Sequence, residues 1–442
     1  MATQPDMEQL RPLTIRQNVA WSFTGNVFYA ACQWGTVVAI AQLGSAQMLG
    51  QYTLGLSIAV PIIALTNLQL GSVQSTDSND EHAFSDYFGL RIVTTAIAMV
   101  ILLLIVAGSS YSMDTRLVIV AVGAAAAFEA LSDIIYGLLT RMARLDRRAV
   151  SMMIKGPSAL IALGLGVYLT NSVFWGAVAL AAVMAVRFFT YDLESARAAL
   201  KARSVSLCGG ARTQAPPAGV APRLDRTVAI SLVVLALPLG ITAALGALSL
   251  NIPRYVVEFT LGEHELGILM ALFYFEAVGG TAINALGQSA TAQLSRDYAK
   301  ARMQSYYALV WKLLALAGAI GLAGVLITAA FGTEIARFVY GEEFAQHPRP
   351  FLWIMVGVGL MHIGNILSYA ASATRRFRSL VIPRLGVTVA VAILSLILIP
   401  PFGLLGAAWV ICGFGLATIA AGIVIMFLTR QPGSRKSLRS II

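Results

Sequence analysis

Basic residues along this chain alternate in step with its apolar runs, and that alternation leaves few architectures open. Twelve apolar spans can be read, over residues 17–42, 51–74, 87–108, 115–140, 152–170, 172–190, 227–250, 266–290, 306–331, 351–373, 380–399 and 404–428. With the N-terminus placed in the cytoplasm, four of the 31 lysines and arginines fall outside (Arg116, Arg254, Arg337 and Arg349) and the other 27 fall inside. Basic loops are retained on the cytoplasmic side during insertion. The split therefore predicts an all-α integral membrane protein with twelve transmembrane helices and both termini inside. Long unalternating apolar runs satisfy their backbone only as helices, since a barrel strand would alternate.

Composition agrees. The chain is 58% hydrophobic and 12% charged, against about 25% charged in soluble domains. Its net charge of +10 is accounted for by the loop bias and attraction to anionic lipid headgroups. Membrane lipids are thus expected partners and nucleic acid is not. Residues 1–14 are polar and the first span is long enough to remain as a helix, so no cleavable signal is expected. Cys32 and Cys412 lie in spans, Cys208 in a loop, and His82, His264, His347 and His362 lack ligand spacing. Neither a disulfide framework, a metal site nor a cofactor is predicted.

The longest loop, 191–226, divides the helices six and six. The expected organisation is an N-terminal lobe over 1–190, a cytoplasmic linker over 191–226, a C-terminal lobe over 227–429 and a basic tail over 430–442. The linker opens with a helix-prone stretch, 193–203, then loosens through Gly209-Gly210 and Pro216-Pro217. External connections are short, so no extramembrane domain is predicted. The halves also echo one another. Arg147, Arg148, Ser151 and Ile154 align without gaps on Arg375, Arg376, Ser379 and Ile382. Lys155 is nearly matched by Arg384, each with a proline neighbour, Pro157 and Pro383. A weaker alignment sets Leu49, Gly50, Asn67 and Ser72 against Leu266, Gly267, Asn284 and Ser289. Six helices per half make the repeats parallel, related by a pseudo-two-fold axis along the membrane normal. Transporters built this way hold substrate near the repeat interface and rock one half against the other.

Acidic residues inside the spans are Glu129, Asp133 and Glu276. A charge at the bilayer centre costs about 2.5–3.5 kcal/mol on insertion scales, so each needs a partner or a wet cavity. Glu129 and Asp133, four apart, share one helix face. Asp133 lies at a depth Arg91 can reach, so the plainer reading is a structural ion pair and the sharper one a coupling-ion site. Glu276 has no basic neighbour in its own helix and faces either a cavity or a polar contact. Arg91, Lys155, Arg187, Lys312 and Arg384 lie within cytoplasmic helix ends, where long basic side chains commonly snorkel to headgroups. For Lys155 and Arg384 the repeat favours a second reading: two cations at corresponding depth, suited to an anion such as pyrophosphate. Asn26, Gln33, Gln42, Asn67, Gln69 and Gln74 crowd the first two spans. Each amide alone reads as helix glue; together they suggest a hydrated groove suited to sugars. Pro61 and Gly279-Gly280 are candidate bends.

Several of these stretches resemble a known family. Trp21-Ser22-Phe23-Thr24-Gly25-Asn26, Leu49-Gly50-Gln51-Tyr52, Asn67-Leu68-Gln69-Leu70 with Thr76-Asp77, Tyr87-Phe88-Gly89-Leu90-Arg91, and Ile283 through Ala290 are similar to bacterial polysaccharide flippases. These are the O-antigen and exopolysaccharide translocases of the multidrug/oligosaccharidyl-lipid/polysaccharide exporter (MOP) superfamily. The resemblance covers the N-terminal third and the start of the second half best. It implies a two-lobed, V-shaped bundle in the bacterial cytoplasmic (inner) membrane. Such a bundle would flip an undecaprenyl-pyrophosphate-linked oligosaccharide to the outer leaflet by alternating access through a cationic cavity. The implied cations are Lys155 and Arg384, with Arg91 and Arg187 as further candidates, and Asn26, Gln33, Asn67 and Asn284 as polar contacts. The expected partners are the lipid-linked oligosaccharide, a polymerase and other polysaccharide-assembly proteins.

Two other functions fit the topology. A multidrug or cation antiporter of the same fold would want an acid in the lobe core, often in the first span. Spans 17–42 and 227–250 carry none, leaving Glu129, Asp133 or Glu276 to substitute. A membrane-embedded polysaccharide polymerase or ligase would need catalytic groups in a sizeable outer loop. The outside offers only Glu258, Glu263, His264, Glu265, Glu334, Glu342, Glu343 and His347 on short loops. A non-enzymatic transporter is therefore the expectation.

Overall fold

Thr14 sets the start of the first helix. Its hydroxyl accepts from the Gln17 amide at 3.4 Å, while the Gln17 side chain accepts from the Thr14 amide at 3.0 Å, a reciprocal cap that fixes the helix entry. A computed structural model describes residues 13–77, 81–207, 220–373 and 381–428. The repeat residues Arg375, Arg376 and Ser379, the loop residues Cys208, Gly209, Gly210, Pro216 and Pro217, and the tail from residue 430 lie outside the described residues.

The described chain is helical throughout. In order run α1 (Ile15–Leu43), α2 (Ala46–Thr66), α3 (Leu70–Thr76), α4 (Phe84–Gly108), α5 (Met113–Arg141) and α6 (Leu145–Thr170). Then come α7 (Val173–Arg187), a π-helical turn over Phe188–Asp192, α8 (Leu193–Leu207) and α9 (Arg226–Leu261). The rest comprises α10 (Glu263–Phe273), α11 (Glu276–Ala299), α12 (Met303–Tyr340), α13 (Glu342–Ala345), α14 (Pro348–Ala373) and α15 (Val381–Leu428). The chain divides into two compact units between Ala247 and Leu248, inside α9.

Among the described residues nine helices are long and apolar enough to cross a membrane, ten when the bent pair α10–α11 counts as one span. The hairpin within α15 and the more polar α1 complete the twelve spans read from the sequence. Gly403 (φ 58°) breaks α15 just after Pro400 and Pro401. Beyond it, Gly406 lies against the Leu398 carbonyl and Gly413 against Leu394, so the two halves double back antiparallel. Large apolar side chains such as Leu104, Trp311 and Leu396 remain exposed, as lipid-facing positions require. Helices α9 and α12, with 36 and 38 residues, are about 54 and 57 Å long at 1.5 Å per residue. A hydrocarbon core is about 30 Å thick, so both project beyond it. At the C-terminal end of α12, Arg337 donates to Glu342 at 2.6 and 3.1 Å. That hydrogen bond holds the exposed Glu342 carboxyl below the usual carboxylate range.

Two spans are interrupted. Between α2 and α3, Leu68 and Gln69 adopt left-handed backbone (φ 51° and 53°), beyond the expected bend at Pro61. Proline removes its own amide bond but leaves α2 helical; the break comes where Asn67 caps it. Between α10 and α11 the chain bends by 48° at Tyr274 and Phe275, not at Gly279-Gly280. Those glycines serve packing instead, as described below.

Helix α8 docks onto the first unit. Ala196, Ala199 and Leu200 are buried in a cluster with Phe88, Phe188 and Leu232. The stretch leading into α9 is pinned too: the Arg223 amide donates to the Ser85 carbonyl at 3.0 Å, directly over Gly89. Any Cβ on Gly89 would collide with the Arg223 carbonyl. One end of the long loop is therefore packed against α5 and the π turn and the other fastened to α4, a feature its Gly- and Pro-rich composition conceals.

Candidate functional site

In the first unit, small residues bring α1 and α6 into close contact. A Cβ on Gly25 would lie 2.9 Å from the Ala149 backbone, and one on Gly156 2.9 Å from the Cys32 side chain. Such small-residue seams let membrane helices approach through their backbones. The seam sets Lys155 beside Tyr29, its ammonium 4.2 Å from the ring centroid. Gln33 donates to the Tyr29 hydroxyl at 2.7 Å. Lys155 also donates to the Glu129 carboxylate of α5. Gln33 and Lys155 thus meet at one tyrosine, and Lys155 joins it to Glu129. Asn26 makes a local contact, donating to Ser22 at 3.4 Å. Asn67 caps α2 with its Oδ1 buried and unpartnered among the described residues.

One turn further along α5, Asp133 Oδ2 accepts from Arg91 Nη2 of α4 at 3.1 Å. This is the pairing expected from their matched depth. Both ion pairs are lopsided. The Arg91 and Lys155 side chains are 0% and 6% exposed, whereas Asp133 and Glu129 are each 52% exposed. The α5 face shared by the two acids therefore opens to space while the cations sit sealed behind it. Carboxylates this open at membrane depth must face water rather than hydrocarbon. Glu129 lies twelve residues from the end of α5 at Arg141, about 18 Å along the helix. We expect Asp133→Asn to strand the buried Arg91 and lower the melting temperature. Arg91→Met with Asp133→Asn should restore most of it, because an unpaired buried charge is worse than none. A double variant no more stable than Asp133→Asn alone would refute a structural role for the pair.

Arg187 sits in a third, fully enclosed arrangement. It lies 3.2 Å from Asp192, and both side chains are essentially buried, at 2% and 1% exposure. Arg187 donates to the Tyr136 hydroxyl (2.5 Å), Ser151 (2.8 Å) and Ser132 (3.1 Å). The Ser132 and Ser151 hydroxyls each donate to Asp192 at 2.6 Å. Five residues separate Arg187 from Asp192, a spacing that an α-helix places on different faces. The π turn over Phe188–Asp192, closed by the Leu193 amide to the Phe188 carbonyl, widens the helix enough to bring them together. Arg187 is committed to joining α5, α6 and α7, neither snorkelling nor open to a ligand.

In the second unit, Glu276 stands at the start of α11 with His362 of α14 beside it, Nε2 to Oε1 4.0 Å. His362 is buried, and neither ring nitrogen has a hydrogen-bond partner among the described residues. A Cβ on Gly279 would lie 2.6 Å from the imidazole, and one on Gly280 would strike the Glu276 carboxylate. The glycine pair makes room for both groups. Arg254, counted among external loops by charge sorting, lies within α9, donates to Asn251 Oδ1 at 3.0 Å and lines a small apolar cavity with Leu269, Phe273 and Phe414. Asn284 is exposed and accepts from Tyr369 at 3.3 Å. Arg384 is exposed near the start of α15, and no ion pair to it is found among the described residues. Its surroundings thus differ from the sealed, paired Lys155.

No family model matches the chain. Over 396 residues it is 23% identical to the capsular polysaccharide biosynthesis protein CapF of Staphylococcus aureus, covering 89% of this chain and 94% of that one. The fold is shared with an inward-facing multidrug resistance MATE family transporter of the MOP superfamily, at TM-score 0.69, 13% identity and 92% and 94% coverage. It is shared equally with the lipid II flippase MurJ in an inward closed conformation, at TM-score 0.70, 13% identity and 92% and 87% coverage. The chain is a multi-pass membrane protein with the helical fold of MOP-superfamily transporters. The structures agree with the fold expected from the sequence, and the curated relative is a polysaccharide biosynthesis protein.

Proposed function

We propose that this protein translocates a polyprenyl-pyrophosphate-linked oligosaccharide from the inner to the outer leaflet of a bacterial cytoplasmic membrane, with both termini in the cytoplasm. The observation that carries this reading is a membrane-depth lysine, Lys155, set behind a water-facing acidic surface in a fold shared with a lipid II flippase. Similarity along nearly the whole chain to a capsular polysaccharide biosynthesis protein supports a glycan cargo. A lysine is suited to a phosphate as a compact point charge that a flexible stem can present. Tyr29 and Gln33 beside it supply an aromatic face and an amide for sugar hydroxyls. Arg384, exposed in its own unit, is a second candidate contact for the anion. A polymerase acting on the outward-facing product is the natural partner.

The antiporter reading draws on a different feature, the partly exposed Glu276 beside the buried His362, an acid and an imidazole suited to carrying a proton. It requires a cationic or neutral cargo, against which a buried lysine would count. Depleting the protein from its host distinguishes the two. Lipid-linked oligosaccharide should accumulate on the cytoplasmic leaflet, with surface polysaccharide lost. Unchanged surface polysaccharide together with new sensitivity to organic cations would establish the antiporter instead.

A further inference from the structure

Lys155 is not free to receive an anion. Its ammonium is sealed from solvent and held between the Tyr29 ring and the Glu129 carboxylate. The acid, by contrast, is half open. A snorkelling pair would expose both partners. Here the anion of the pair forms the surface and the cation forms the floor. Any phosphate arriving from the water side meets Glu129 first, with Asp133 one turn away on the same face. It can reach the ammonium only by taking the carboxylate's place. Glu129 can yield, because rotation about its side-chain bonds carries the carboxylate further into the open space it already touches. Lys155 cannot move outward without leaving Tyr29.

We infer that Glu129 is an internal competitor for the anion site at Lys155. It occupies the ammonium when the transporter is empty, gives way when a diphosphate headgroup binds, and returns to expel it. This rests on the reading of Lys155 as the headgroup contact. Exchange of one carboxylate for one phosphate keeps Lys155 paired throughout, so no step leaves a bare buried charge. It also weakens binding by design: a translocator must let go on the far side, and a lysine with no competitor would hold a diphosphate too well. The other two cations are arranged differently. Arg187 is locked by a fully buried acid, and Arg91 is sealed more completely than Lys155. Glu129–Lys155 is the pair whose exchange the geometry permits.

The test measures binding of farnesyl diphosphate to purified protein in lipid nanodiscs, comparing wild type, Glu129→Gln and Lys155→Ala. Removing one competing charge-assisted hydrogen bond should make Glu129→Gln bind about tenfold tighter, with slower turnover in reconstituted vesicles, while Lys155→Ala binds more weakly. Weaker binding in Lys155→Ala with no gain in Glu129→Gln would overturn the competitor yet leave Lys155 as the headgroup contact. Unchanged binding in Lys155→Ala would overturn both. Should Glu129→Gln fail to fold, Glu129→Asp decides, since it keeps the charge on a shorter arm. It should bind a few-fold tighter, and unchanged or weaker binding would sink the proposal.

Discussion

Replacing Asp192 with asparagine should remove most of the folded protein. The substitution keeps the shape but strips the charge that answers Arg187, and neither side chain can reach water. Two hydroxyls in the same network, from Ser132 and Ser151, accept from Arg187 and donate to Asp192, and the Tyr136 hydroxyl accepts from Arg187 as well. Breaking one partner of a buried pair costs about 3–5 kcal/mol, a large share of the roughly 5–15 kcal/mol that typically separates folded from unfolded chains. A thermal melt followed by fluorescence size exclusion reads this directly: Asp192→Asn should melt far below wild type or be lost as aggregate. Arg187→Met with Asp192→Leu should recover much of the folded yield, since two apolar side chains leave no uncompensated charge. A melt for Asp192→Asn indistinguishable from wild type would mean that the network is not what joins α5, α6 and α7.

Lys155→Ala should behave in the opposite way, keeping the fold and losing the function. The partner it abandons, Glu129, is half exposed and can be hydrated where it stands. Stability should therefore change little, while transport loses the sealed cation on which an anionic headgroup depends. In cells carrying only this variant, surface polysaccharide should fall by about tenfold or more, as expected for loss of a charge-assisted contact. Lys155→Arg should retain part of the activity, limited by fitting a planar guanidinium against the Tyr29 ring. Wild-type polysaccharide levels in Lys155→Ala would reduce the residue to a helix-packing element.

The architecture was legible because insertion obeys coarse rules. Loop charge and span length order the helices regardless of how they pack, and Pro400-Pro401 followed by Gly403 marks a turn inside an otherwise continuous apolar run. The Arg91–Asp133 contact was legible from depth alone. The Lys155–Glu129 contact was within reach by the same reasoning: α5 and α6 are joined at Met142 to Arg144, so residues about thirteen before and after that turn must face each other. Treating the repeat as the stronger signal hid this, and it made Lys155 and Arg384 look equivalent when one is sealed and the other exposed.

Other features left no pattern to read. Asp192 falls where the apolar span gives way to loop, and only a π turn, invisible in composition, returns it to Arg187. Glu276 and His362 are 86 positions apart on helices whose neighbours sequence order does not reveal. The Gly279-Gly280 pair resembles a hinge, yet its lack of side chains is used to seat that acid and imidazole. Glycine in a membrane helix can signify a bend or a close approach, and only packing tells which.

The most direct measurement uses purified protein in sealed proteoliposomes containing a radiolabelled polyprenyl-diphosphate oligosaccharide, with an impermeant glycosidase added outside. Vesicles bearing the wild-type protein should expose glycan from the inner leaflet quickly, and those bearing Lys155→Ala at a rate near that of protein-free vesicles. If wild-type and protein-free vesicles expose the glycan at the same rate, the chain does not flip this class of lipid.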